Sequence, residues 1–179
     1  ANLLDVTMED LHDMPQQLYE GKITKLREKT QGQLVIKEYP TASAHSGHFK
    51  SLMNELALKK SFRPDVIFID YLNICASSRF KGGNISSYFY VKAIAEELRG
   101  LAVEFNVPIF SATQTTRTGY VSTDIGLEDT SESFGLPATA DFMFALISNE
   151  ELEALGQMKV KQLKNLSLIH ISEPTRPED

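Results

Sequence analysis

With 179 residues, 42% of them apolar and 23% charged, the chain is sized for one compact core, and its composition is not that of a collagen, a coiled coil or a wholly disordered segment. Eighteen lysines and arginines against 24 aspartates and glutamates leave a net charge of −6. That balance excludes a surface coated in basic charge for indiscriminate nucleic-acid binding, so any such site is local.

No apolar run approaches the roughly 18 residues of a membrane helix. The lone cysteine, Cys75, excludes an internal disulfide framework and a four-cysteine metal site, and fits a reducing cytoplasm. The chain opens on Ala1 rather than Met, which predicts that residues precede it. Thr7 followed by Glu9 and Asp10 reads as a capped helix start, and Pro15 opens a second helix with Leu18, Tyr19, Ile23 and Leu26 on one face, ended by Gly32. Leu34-Val35-Ile36 predicts a short strand closed by Pro40 and the small-residue loop 41–46. Phe49, Leu52, Met53 and Leu56 then recur at helical spacing.

The apolar run Val66 to Ile69 ends on Asp70 and predicts a strand; Arg79 to Ser87 is a glycine-containing polar loop. Val91, Ile94, Ala95, Leu98, Leu101, Ala102 and Phe105 trace one face of a long helix, the clearest in the chain. Val107 to Ala112 is a further strand ending in Thr113-Gln114, a long polar stretch runs from Thr115 to Ser133, and a strand at 141–147 precedes a short helix at 149–155. Nearly continuous apolar strands alternating with helices imply an α/β fold with a parallel sheet covered on both faces.

Ligands in such folds gather at the carboxyl ends of the strands. Asp70 stands at one such end, where a carboxylate serves either as a turn residue or as the ligand of a Mg²⁺ that neutralises nucleotide phosphates. Gln114 stands just beyond the other, with Arg117 close behind.

Taken in order, these residues resemble the RecA-like motor domain of hexameric, DnaB-like replicative DNA helicases, and most of all the T-even-phage type. Asp65 to Ile74 looks like the family's Walker B strand, with Tyr71-Leu72 its most distinctive part. Val91 to Arg99 with Leu101-Ala102, the strand into Gln114, and Gly135 to Asp141 complete a likeness over about residues 1–165. The resemblance implies a RecA-like P-loop NTPase core with a mostly parallel sheet, using ATP and Mg²⁺. Asp70 would bind the metal, and Gln114 would sense the γ-phosphate and relay its loss to the next loop. Arg79, Lys81, Gly82 and Gly83, and then Arg117, would track single-stranded DNA in the pore of a homo-hexamer. Primase and a helicase loader would be partners, with no membrane, in the cytoplasm of an infected bacterial cell. Two other readings share Asp70: a RecA-like recombinase or other ring ATPase, and a non-hydrolysing DNA-binding or ring-regulating module.

The chain also departs from that family. It holds no G-x-x-x-x-G-K-[ST] loop, and Gly21-Lys22-Ile23-Thr24 is a decoy inside a helical pattern. The fold is therefore expected to be truncated at its N-terminal strand and P-loop, with the water-activating carboxylate lost as well. Leu166 stands where the family's arginine finger would follow Lys161 to Asn165. Residues 166–176 resemble a translated sequencing-library adapter, and 166–179 are read as a non-native tail. His45 and His48, three apart, are rejected as a zinc site, since one distant cysteine and no carboxylate cluster accompany them. Tyr88, Phe89 and Tyr90 are read as packing residues before base-stacking ones, and Cys75 as core rather than nucleophile.

Overall fold

The computed structural model describes residues 2–80, 85–114 and 135–166. Residues 1–38 and 39–179 form separate compact units. In the first, Thr7 caps α1 (Met8–Asp13): its hydroxyl accepts the Asp10 amide at 3.0 Å while the Asp10 carboxylate accepts the Thr7 amide at 3.3 Å. This reciprocal capping satisfies two of the backbone donors that a helix start leaves orphaned. α2 (Gln16–Lys29) follows Pro15 as predicted but stops before Gly32, at Thr30, whose hydroxyl donates to the Leu26 carbonyl at 2.7 Å. The strand expected at Leu34–Ile36 does not form, and Leu34 and Ile36 are exposed. Among the described residues of this unit no strand offers these three apolar residues a pairing partner, so the local pattern is overridden.

The second unit starts with α3 (Ser46–Lys60), which buries Met53 and Leu56 and ends on Ser61 in the left-handed region (φ 50°). β1 (Ile67–Ile69) pairs in parallel with β2 (Ile109–Ser111), with Ile67 opposite Ile109, Phe68 opposite Phe110 and Ile69 opposite Ser111. The crossover between them is α4 (Ser87–Phe105), closed by Asn106 at φ 51°. The apolar stripe read along this helix is the core: Val91, Ile94, Ala95 and Leu98 pack with Leu72, Cys75 and Leu136, and Ile69, Phe49, Tyr90 and Met143 close around them. Ile69 thus turns inward while Phe68, the next residue along the pleat, turns outward, as alternation along a strand requires.

The opposite face of this strand pair carries two aromatic side chains. Phe68 and Phe110 stack at 5.3 Å between ring centroids, yet remain 73% and 47% exposed. The crossover helix α4 packs against the other face of the pair, where Ile69 meets the core. α5 (Gly135–Thr139), β3 (Phe142–Ile147), α6 (Glu150–Ala154) and β4 (Lys159–Asn165) complete the unit. β3 and β4 form an antiparallel pair with an irregularity between Met143 and Phe144. β4 carries lysines at 159, 161 and 164, so its period is hidden from a hydrophobic reading. Among the described residues no helix is long and apolar enough to cross a membrane.

Candidate functional site

Because β1 and β2 are parallel and in register, their carboxyl ends open on one edge, and three bonds keep the following chain joined there. The Ser111 hydroxyl donates to the Ile69 carbonyl at 2.8 Å, the Leu72 amide to the Ala112 carbonyl at 3.2 Å, and the Gln114 side-chain amide to the Tyr71 hydroxyl at 3.4 Å. The two predicted strand-end residues are therefore brought to one edge, and Gln114 touches Tyr71, the neighbour of Asp70. The Asp70–Tyr71 peptide bond is cis. The Asp70 carboxylate is exposed and has no hydrogen-bond or ion-pair partner among the described residues. Between the strand and Gln114, the Thr113 hydroxyl oxygen is buried without a partner among those residues. An unengaged carboxylate is a hard oxygen donor of the kind that divalent cations take, and among the described residues no group of three or more His, Cys, Asp or Glu side chains gathers into a ready-made metal site.

The segment after Asp70 passes through a short 3-10 turn (Leu72–Ile74) and reaches Arg79 along α4. The Arg79 guanidinium is not free: it pairs with Glu96, which also has Lys92 at 3.9 Å. The next residue, Glu97, has a different task. Its carboxylate accepts the hydroxyls of Ser46 (2.7 Å), Ser77 (2.6 Å) and Ser78 (2.7 Å) and the amides of Ser78 (3.0 Å) and Arg79 (3.4 Å). The Ser77 amide is held in turn by the Tyr90 hydroxyl at 3.1 Å. Lys81, Gly82, Gly83 and Arg117 lie outside the described residues.

Partial burial by itself would raise the Glu97 carboxyl, but the bonds from Ser77, Ser78 and Ser46 outweigh it and lower the group from the usual 4.5 to about 2. The folded form then binds the proton more weakly than the unfolded chain, so the stabilisation is present above about pH 4.5 and lost as pH falls toward 2. Discounted for solvent screening, it amounts to about 1–2 kcal/mol. Urea melts at pH 7, 4 and 2.5 are expected to show this acid loss, and Glu97→Gln to remove that part of the slope; an unchanged slope would mean that the serine bonds do not bias the carboxylate.

Several other residues singled out in the sequence have structural work. Lys22, in the decoy motif, lies within α2 and donates to the Leu4 carbonyl at 3.1 Å. The His45 and His48 Nδ1 atoms accept the amides of Gly47 and His45 at 3.0 and 3.2 Å, which makes the pair the cap of α3. Cys75 is buried in the core, which pushes its thiol up and away from reactivity. The Gly135 to Asp141 stretch is knitted to its surroundings by Arg99, whose guanidinium donates to the Thr139 carbonyl and the Asp141 carboxylate at 2.7 Å each, and by Lys164, which donates to the Pro137 carbonyl at 2.6 Å. Glu96 and Glu97 entered the sequence reading only as members of the Val91 to Arg99 stretch, with no role of their own; the Ser77-Ser78-Arg79 run offers donors but does not say to whom.

A mixed α/β unit with a parallel strand pair and polar residues at the strand ends is an arrangement that nucleotide-binding α/β folds share. The solved structures agree: one ATPase domain superposes with a TM-score of 0.69 at 17% identity, over 92% of this chain and 60% of that one. A DnaB-like replicative helicase, solved to show its interactions with primase, matches with a TM-score of 0.64 at 19% identity, over 86% of this chain and 37% of that one. The fold is therefore that of a RecA-like helicase ATPase domain. In sequence, the chain is 49% identical over 168 residues to the DnaB-like replicative helicase of Enterobacteria phage T4, a match covering 92% of this chain and 35% of the relative. The chain is thus homologous to the DnaB-like replicative helicases and spans about a third of that relative's length. No protein-family model matches it.

Proposed function

We propose that this chain is part of the motor of an ATP-driven replicative DNA helicase, one that translocates on single-stranded DNA and parts the duplex. The observation that carries the reading is the 49% identity to a replicative helicase along nearly the whole chain. That the relative is a DnaB-like replicative helicase favours a helicase over a recombinase or a non-hydrolysing ring module. The working form would be a homo-hexamer in the cytoplasm of an infected bacterial cell, with primase and a loader as partners. The solved DnaB-like helicase with its primase interactions supports the first of these partners.

Asp70 and Gln114 are the residues that would meet Mg²⁺ and ATP. Mg²⁺, when bound, neutralises charge developing on the phosphates. Asp70 supplies a hard oxygen at the strand end, unengaged by the fold and so available to a cation. Gln114, held by the Tyr71 hydroxyl, lies where a change at the phosphates would reach the chain that follows it. Arg79, with Lys81, Gly82, Gly83 and Arg117, would meet DNA phosphates rather than base edges, since charges and glycine amides carry no sequence code.

The test is a chimera in which residues 1–165 replace the matched segment of the phage T4 relative. It is expected to hydrolyse ATP in a DNA-stimulated manner and to unwind a forked duplex; turnover indifferent to DNA, without unwinding, would overturn the reading. The 179-residue chain alone is expected to show no ATPase above background, since its sequence contains no Gly-Lys-Ser/Thr phosphate cradle. Turnover by the chain alone that is abolished in Asp70→Asn would overturn that expectation.

A further inference from the structure

We propose that Glu97 is a positioning residue for DNA binding: its carboxylate fixes the course of the segment between Asp70 and Arg79, and so presents the Arg79 guanidinium to the phosphate backbone. The proposal rests on the reading of Arg79 as a DNA contact. Successive residues of a helix point about 100° apart, so Glu96 and Glu97 address different parts of the passing chain. Glu96 takes the guanidinium itself, at the exposed end of the segment. Glu97 takes its backbone and serines. A carboxylate has about four acceptor sites, and here Ser46, Ser77, Ser78 and the Arg79 amide between them occupy both oxygens.

The geometry separates this role from general core support. Glu97 faces the segment and the start of α3, whereas Ile94 and Leu98, on either side of it in sequence, turn into the apolar core. Losing the Glu97 charge therefore loosens the segment and leaves the helix packed. A DNA phosphate must compete with Glu96 for Arg79, and it competes best when the arginine's own backbone does not have to be ordered at the same time. The partly exposed salt bridge to Glu96 is worth about 1 kcal/mol or less, weak enough to exchange. The anchor beneath it, made of several charge-assisted bonds, is not.

Two measurements decide it. In the 179-residue chain, Glu97→Gln is expected to speed hydrogen exchange of the Ser78 and Arg79 amides at least about tenfold while those of Ile94 and Leu98 keep their protection. In the chimera, the same substitution is expected to weaken binding of a labelled oligo-dT at least about fivefold and to lower the logarithmic salt slope by about 0.7, the loss of one phosphate contact. Ser77→Ala with Ser78→Ala, which leaves Glu97 in place, is expected to reproduce both effects. The discriminating readout is the double variant. If Glu97 acts through Arg79, adding Glu97→Gln to Arg79→Ala changes DNA affinity no further.

Additive losses, or wild-type affinity in Glu97→Gln despite fast amide exchange, would overturn the positioning role while leaving the helicase reading intact. An unmutated chimera that neither binds oligo-dT nor hydrolyses ATP would overturn that reading, and this proposal with it.

Discussion

Asp70→Asn in the chimera is expected to lower kcat for ATP hydrolysis at least about a hundredfold without unfolding the protein. The two halves of that expectation come from the same observations. Asp70 is exposed, fills no core volume and has no partner among the described residues, so an isosteric amide removes nothing that holds β1 to β2. Ser111 still donates to the Ile69 carbonyl and the Leu72 amide still reaches the Ala112 carbonyl. The unfolding free energy should then change by no more than surface substitutions usually cause, about 0.5 kcal/mol. What the amide loses is a negative charge at the strand end, where on the proposed reading Asp70 would help to hold Mg²⁺. Steady-state turnover at saturating Mg²⁺, paired with a thermal melt, separates the two. Near-normal kcat would make Asp70 the ordinary turn carboxylate that its sequence context also allows.

The strand ends were readable because they depend on simple local chemistry. An apolar run long enough for a strand, followed at once by an acid or an amide, fixes both the element and the place where its last side chain emerges, and the parallel register of Ile69 with Ser111 then brings the two ends together. α4 was readable for a similar reason, since its apolar stripe spans nearly its whole length. The failures share a different cause. Leu34–Ile36 has the composition of a strand, but strands exist only in pairs. β4 has the reverse problem: its lysines disguise it until β3 supplies a partner. Apolar strands are normally buried on both faces, but which elements cover the face bearing Phe68 and Phe110 is a property of the whole assembly of elements and not of the strand.

The candidate site was legible in its chemistry and illegible in its wiring. Arg79 reads as a basic loop residue with no acid near it in sequence, yet Glu96 is beside it in space. Glu97 reads as one more solvated charge on a helix, yet it accepts hydrogen bonds from the start of α3 and from the segment leading to Arg79. A helix carries two chemistries on its faces, and periodicity reports only the apolar one. The polar face is decoded by what the chain outside the helix brings to it, here three serines whose hydroxyls have no period of their own.

The core under this wiring sets the second large effect. Ile94→Ala is expected to destabilise the 179-residue chain by about 3 kcal/mol, within the range of about 2–5 for truncating a buried isoleucine. Ile94 is 1% exposed and sits among Leu72, Val91, Leu98 and Leu136, so the lost methyl and methylene groups leave a hole bounded by helix, turn and strand at once. Those elements are held apart by their own hydrogen bonds, which limits how far they can collapse into it. Val103, on the same helix but 74% exposed, is the internal control: Val103→Ala is expected to stay within about 0.5 kcal/mol. With Phe68 and Phe110 contributing little burial, total stability should fall toward the lower part of the usual range of about 5–15 kcal/mol. A loss of this size then populates the unfolded chain within the first molar of urea. Urea denaturation followed by circular dichroism of all three proteins checks it. A cost below about 1 kcal/mol for Ile94→Ala would mean that α4 packs too loosely to position Glu96 and Glu97, because the stripe that seats the helix and the carboxylates that grip the segment leading to Arg79 belong to the same rigid element.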